Sequence, residues 1–269
     1  MEMPELTDVR LRLDERGVAT VTLARPHVRN ALGADLLRDL QRVIAWSRQE
    51  PRLRAVVLTG EGDAFCAGAD MHWMQQAMRN TREQRLEEGA AFRDVLQGLN
   101  ELQVPLIGRI NGASFGGGTG MVAVCDIAIA SRKAMFRLSE TRIGLVPANI
   151  APYVVARMGE PNARRVSLNA KLMTADTALR YGLVSAVADP DTLDAAVEDE
   201  IEDLLACAPQ AVAATKKLIH FVHANDLPTS AAYALQALAD AWETDTARQG
   251  ISAFLAKRRP PWASGQKRG

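Results

Sequence analysis

The sequence predicts an α/β protein whose C-terminal part is helical. Three observations carry that expectation. Short β-like runs alternate with helical patterns through the first two thirds of the chain, two glycine-containing turns each lead from a strand into a helix, and the alternation stops near Ala151. Strand–turn–helix units repeated in this way build parallel sheets covered by helices.

The elements follow in order. Val9–Leu13 alternates apolar with polar residues, and after Gly17 the run Ala19–Leu23 does the same, as in a hairpin. From Leu32 the apolar positions Leu36, Leu37, Leu40, Val43 and Ile44 recur at helical spacing. Ala55–Leu58 is a short apolar run ended by Thr59-Gly60, the pattern of a buried strand. A longer helix places Phe92, Val95, Leu96, Leu99 and Leu102 on one stripe. A strand at Pro105–Ile110, a glycine-rich turn, a short apolar helix from about Gly118 and a strand at Ile127–Ala130 come next. Beyond Ala151 no strand is predicted. Segments 151–158, 175–181, 191–207, 209–224 and 229–256 read as helices, with Pro190, Pro209 and Pro228 at or near their starts, where proline is tolerated. The α/β part is expected to end near residue 195.

Composition narrows the function classes. A chain of 269 residues can bury a full core, as one large domain or one with an appendage. Its 32 basic and 32 acidic residues cancel, leaving no long-range field to recruit nucleic acid or an anionic membrane. The cysteines, Cys66, Cys125 and Cys207, are odd in number and form no C-x-x-C pair, which argues against a disulfide framework or a structural zinc site. His27, His220 and His223 lack partners at metal-ligand spacing and are expected to be core or surface histidines, and no metal or redox cofactor is implied. No apolar run is long enough for a signal peptide or a bilayer span, and a soluble, cytoplasmic protein is expected. Trp242 and Trp262 are expected to pack the C-terminal helices.

The chemistry is sought in the two turns, Phe65-Cys66-Ala67-Gly68-Ala69-Asp70 and Asn111-Gly112-Ala113-Ser114-Phe115-Gly116-Gly117-Gly118-Thr119-Gly120. A helix N-terminus presents unsatisfied N–H groups and the positive end of the dipole, so it favours a developing anion. Glycine lets a ligand approach the backbone closely. Two such turns on neighbouring strands could aim two N–H donors at one enolate or tetrahedral oxygen, each donor stabilising the transition state by about 2.7–4 kcal/mol.

In order and spacing these turns resemble the enoyl-CoA hydratase/isomerase (crotonase) superfamily. The resemblance also takes in Arg25-Pro26-His27-Val28-Arg29-Asn30-Ala31-Leu32, Cys125–Ala130, Glu140–Leu145 with Pro147, and Phe254–Arg258, and so runs almost end to end. It implies a crotonase-like spiral of ββα units over residues 1–195 and a helical trimerisation region over 196–269, assembled as a homotrimer or a dimer of trimers. It places the oxyanion donors on the amides of Ala69 and Gly117, with Ala67 and Asp70 of the same turn lining the substrate. Glu140 falls where the superfamily carries a catalytic glutamate facing the α-carbon of an acyl-CoA. A second glutamate of well-studied hydratases falls on Gly120, which can neither hold a water nor transfer its proton. Hydration of an enoyl-CoA by Glu140 alone and double-bond isomerisation therefore both remain open, as does acyl-CoA binding without turnover.

The stretches Met71–Gln76, Ala113–Gly118 and Ser139–Tyr153 look like bacterial methylglutaconyl-CoA and isohexenylglutaconyl-CoA hydratases. Such substrates carry a distal carboxylate, for which His72, Arg79, Arg82 and Arg85 are the candidate partners. Arg25 and Arg29 are the expected coenzyme contacts near the first helix. Phe254 and Lys257 match residues that meet the coenzyme from an adjoining subunit.

Overall fold

The computed structural model describes residues 3–263. Contacts divide the chain into two compact units. The first runs to Leu102 and resumes over Leu106–Val197; the second joins Gln103–Pro105 to the chain from Glu198 onward.

In the first unit β1 (Val9–Leu13) and β2 (Val18–Leu23) pair antiparallel. Their turn closes on Asp14, whose carboxylate accepts the Arg16 and Val18 amides, and Gly17 adopts the left-handed conformation at φ 86°. Helix α1 (Ala34–Ser47) buries Leu36, Leu37, Leu40, Val43 and Ile44, as their spacing predicts. All of β3 (Ala55–Gly60) is buried, which suits a central parallel strand covered on both faces.

From β3 onward ββα units succeed one another. β3 and β4 (Ala64–Cys66) lead into α2 (Met71–Arg79) and α3 (Arg82–Asn100). β5 (Leu106–Ile110) and β6 (Ala113–Phe115) lead into α4 (Gly117–Ala123). β7 (Ile127–Ser131) and β8 (Met135–Arg137) lead to α5 (Ala151–Ser167), which breaks at Gly159. β9 (Met173–Thr174), α6 (Ala175–Arg180) and β10 (Ala186–Ala188) follow.

The first strand of each pair extends one sheet and the second extends another. Among the described residues the larger sheet has the order β1-β2-β3-β5-β7-β10 and the smaller β4-β6-β8-β9. Every pairing is parallel except β1–β2 and β8–β9. Phe65 of β4 and Phe136 of β8 are fully buried and anchor the smaller sheet; each such side chain stabilises the fold by roughly 1.5–3 kcal/mol. Only Asn111 and Gly112 join β5 to β6. A β-carbon at Gly112 would collide with the Asp63 carbonyl, so glycine is needed there. The Asn111 side chain accepts the Gly60 amide at 3.2 Å and donates to the Gly62 carbonyl at 2.8 Å, which fixes the neighbouring β3–β4 turn.

The structure corrects the sequence reading in three places. β4, β6 and β8 are strands where turns or nothing regular is expected. β9 and β10 are strands beyond Ala151, where only helices are expected. The helix expected over 229–256 is two helices, broken at Glu243-Thr244.

Helix α7 (Leu193–Ala206) carries the chain into the second unit, which holds α8 (Pro209–Ala224), α9 (Leu227–Trp242) and α10 (Asp245–Leu255). Thr244 caps α10 by accepting the Ala247 amide at 3.1 Å. Phe221 and Tyr233 stack between α8 and α9. Trp262 packs as expected, its indole N–H donating to the Ala206 carbonyl at 3.0 Å and its ring lying on Gly250. Trp242 is 60% exposed. Among the described residues no helix is long and apolar enough to cross a membrane.

Candidate active site

The two turns meet because their strands are neighbours. β4 and β6 pair in parallel, Ala64 with Ala113 and Cys66 with Ser114, so both chains leave the sheet at the same end. Gly68 lies in the left-handed region at φ 91°, and a β-carbon there would sit 2.7 Å from the Phe115 carbonyl oxygen. One at Gly118 would run into the Cys66 carbonyl. Only glycines allow the two turns to touch.

Two amides are left over at this junction. The Leu32 amide donates to the Gly68 carbonyl at 2.7 Å, and the Leu32 carbonyl accepts the Asp70 amide at 2.9 Å. In such a parallel bridge the residue between, Ala69, turns its own N–H to the opposite side. Among the described residues that N–H donates to no protein acceptor. Gly117 opens α4, after Gly116 at φ 47°, and a first-turn amide has no acceptor within its helix. The Gly116 amide is engaged with the Arg137 carbonyl at 2.8 Å, which fixes the turn. The Phe92 ring of α3 covers Gly117, with Cζ 2.9 Å from where a β-carbon would lie.

Glu140 is beside the same turn. It opens a short 3-10 helix, Glu140–Ile143, that Gly144 closes at φ 76°. Its Oε1 is 3.1 Å from the β-carbon position of Gly116. Its Oε2 is buried and has no hydrogen-bond partner among the described residues. No ion pair to Arg137 or Arg142 is found there either. Burial pushes the Glu140 carboxyl above its ordinary range, and a bond from its own amide only partly offsets this. A carboxyl so placed can exchange protons with a bound acyl group.

Gly120 has no room for a side chain. A β-carbon there would overlap Cγ2 of Ile150, which is itself buried.

The remaining expected site residues divide. Arg25 is committed within the fold: it pairs with Asp8 at 3.1 Å and Asp70 at 3.0 Å and donates to the Ala31 carbonyl at 2.6 Å. Asp70 is equally committed, since it also caps α2 by accepting the His72 amide at 2.8 Å and the Trp73 amide at 3.4 Å. Burial raises the Asp70 carboxyl, but these amides and Arg25 outweigh it and hold it below its usual value. Both residues build the site rather than present free charge to a ligand. The Ala67 amide donates to the Arg29 carbonyl at 2.9 Å, so this pair joins the turn to the segment before α1 by backbone alone. The Arg29 side chain is exposed. His72 lies exposed on the first turn of α2, 3.1 Å from Gln76. Phe254 and Lys257 belong to the second unit, where Phe254 is 81% exposed and Lys257 takes a left-handed conformation just after α10.

Asn30 is the residue that sequence reasoning passes over. It is fully buried, at φ 56°; its Oδ1 accepts the Arg25 amide and its Nδ2 donates to the Glu61 and Ala64 carbonyls, each at 2.9 Å. It thereby ties the segment before α1 to the base of the first turn. The signal available was its type, since asparagine tolerates the left-handed region better than most residues.

Comparison with known proteins places these features in context. The enoyl-CoA hydratase/isomerase family matches this chain over residues 14–266. The short-chain-enoyl-CoA hydratase of Clostridium acetobutylicum is 33% identical over 257 residues, covering 95% of this chain and 97% of its own. An enoyl-CoA hydratase structure from Shewanella pealeana superposes with a TM-score of 0.92 at 31% identity, covering 96% of this chain and 97% of that one. Pseudomonas aeruginosa AtuE superposes with a TM-score of 0.92 at 37% identity, covering 96% of this chain and 100% of that one.

Proposed function

This chain belongs to the enoyl-CoA hydratase/isomerase family, and we propose that it adds water across the α,β double bond of an enoyl-CoA, with the thioester oxygen held between the amides of Ala69 and Gly117. As water adds at the β-carbon, the electron pair of the double bond moves onto the thioester oxygen. Two fixed N–H donors stabilise that charge because they need no reorganisation as it forms. The enolate then takes a proton at the α-carbon, and Glu140 is the group that moves it. The observation that carries this reading is the Glu140 carboxylate lying beside Gly116, the residue before the Gly117 amide.

The finer proposal is an acyl group like 3-methylglutaconyl. It is supported by the resemblance of the Met71–Gln76 and Ser139–Tyr153 stretches and by the exposed side chains His72, Arg79, Arg82 and Arg85 on α2 and the start of α3. For the coenzyme, Arg29 with Phe254 and Lys257 of an adjoining copy are the proposed contacts, within a homotrimer or a dimer of trimers. A second reading, isomerisation of a 3-enoyl-CoA, is favoured by the packing of Ile150 at Gly120, because one carboxylate suffices to shuttle one proton.

Side-by-side assay of crotonyl-CoA, a 3-enoyl-CoA and 3-methylglutaconyl-CoA separates these readings. Loss of thioester-conjugation absorbance indicates hydration, and its appearance from the 3-enoyl substrate indicates isomerisation. Glu140→Gln is expected to lose at least about a hundredfold in rate, the usual scale for an acid–base group. Unchanged turnover in that variant would take the proton transfer away from Glu140, and no turnover of any of the three substrates by the unaltered chain would leave it an acyl-CoA-binding protein.

A further inference from the structure

One turn before Phe92, the first residue of the buried stripe of α3 with Val95, Leu96 and Leu99, position 88 is half-buried on the same face. Helical periodicity calls for an apolar residue there, and the chain has Glu88. Its Oε1 accepts a bond from Asn80 Nδ2 at 2.7 Å, which latches it to the turn between α2 and α3. Its Oε2 is buried and has no hydrogen-bond partner among the described residues. Only two other carboxylate oxygens there share that state, on Glu61 and Glu140. Glu61 is accounted for, since its other oxygen pairs with Arg10 at 2.9 Å.

Neighbours on both sides locate Glu88. Phe92, four residues on and therefore on the same helix face, is the ring that covers Gly117. Gly89 gives its carbonyl to Asn149 Nδ2 at 3.2 Å, and Asn149 directly precedes Ile150, whose side chain fills the space at Gly120. Residue 88 therefore lies on the same face of α3 as the ring that covers Gly117, one helical turn away from it. A buried carboxylate oxygen with no donor is costly to keep. A bound water would supply the donor.

Hydration moves two protons, one off water and one onto the α-carbon. We propose that Glu88 is a second acid–base group of this site: it holds the water that adds at the β-carbon and takes its proton. An O–H bond of water breaks as the C–O bond forms, and the proton passes to the Glu88 carboxylate. The electron pair of the double bond moves to the thioester oxygen, then returns to form the α-carbon–hydrogen bond with a proton from Glu140. Glu88 ends the turnover protonated and Glu140 ionised, and proton exchange with solvent resets both. The division of labour follows from placement: Glu140 lies directly beside the turn that would hold the thioester oxygen, and Glu88 lies one turn of α3 from the ring that covers that turn. The proposal rests on the hydratase reading above.

The test compares Glu88→Gln, Glu88→Asp and Glu140→Gln with the unaltered chain. Hydration of crotonyl-CoA and of 3-methylglutaconyl-CoA is measured beside exchange of the α-protons of butyryl-CoA in D2O, which needs no added water. Glu88→Gln is expected to lose about a hundredfold in hydration while its exchange stays within about threefold of the unaltered chain, and Glu140→Gln to lose both. Glu88→Asp, which keeps a carboxylate, should retain more hydration than Glu88→Gln at a similar melting temperature. Hydration by Glu88→Gln within about threefold of the unaltered rate, or parallel loss of exchange and hydration, overturns the proposal. An unaltered chain that exchanges α-protons and isomerises a 3-enoyl-CoA but hydrates neither substrate overturns the hydratase reading, and this proposal with it.

Discussion

Glu140 shows how far a single side chain can be read from a sequence. Its place in the Phe136–Leu145 stretch marks it as the candidate proton carrier, but its packing beside Gly116, in a separate turn of the chain, is something no local pattern announces. That burial has a measurable consequence. Exchange of the α-protons of a saturated acyl-CoA requires Glu140 as the carboxylate. Burial raises its carboxyl above the ordinary 4.5, so the exchange rate should climb with pH through a midpoint higher than 4.5. A midpoint at or below that value would show a solvated carboxyl and sink the assignment. Asn30 is the opposite case: two of its partners, Glu61 and Ala64, lie 31 and 34 residues away, so its linking role is invisible in sequence. Glu88 hides for another reason. It lies one turn beyond the end of an apolar stripe, and a stripe read by its apolar members stops at Phe92.

At the scale of elements, length decided what could be read. The strands of five or six residues, β1, β2, β3, β5 and β7, are long enough to show an alternating or continuous apolar run, and the sequence reading found them. β4, β6, β8 and β10 have three residues and β9 has two, too few for any period, and pairing with neighbours makes them strands. The start of α2 tests how strongly such local structure depends on distant partners. Asp70 both caps the helix and holds Arg25, and both side chains are less than a fifth exposed. Asp70→Ala should therefore lower the unfolding free energy by about 1–3 kcal/mol, read by denaturant melts, the upper end reflecting the Arg25 charge left without it. The sign with pH follows from its lowered carboxyl: the contribution is present above the unfolded-state value and is lost as pH falls through the folded-state one. A variant as stable as the parent at neutral pH would show the cap and ion pair to be replaceable by water.

For the whole molecule, the alternation of strands and helices pointed to the fold class. What it could not convey is that successive strands go to different sheets, because that choice is made by connections of two or three residues, such as Asn111-Gly112. The helices of the second unit leave apolar side chains in solvent, among them Leu227 and Phe254 at 81% and Leu255 at 75% exposed. Exposed apolar area on this scale marks association surfaces. Sedimentation at micromolar concentration should give a trimer or a multiple of it, and a monomer would remove the assembly from which Phe254 and Lys257 are proposed to reach the coenzyme.

The contact between Gly120 and Ile150 also makes history matter. A side chain can arrive at position 120 only after the one at 150 has shrunk. Taken in the other order, the same two changes pass through an overpacked core, which typically costs about 1–3 kcal/mol. The two positions are epistatic by geometry, so descendants of this chain can acquire a carboxylate there along one mutational route and not along its reverse.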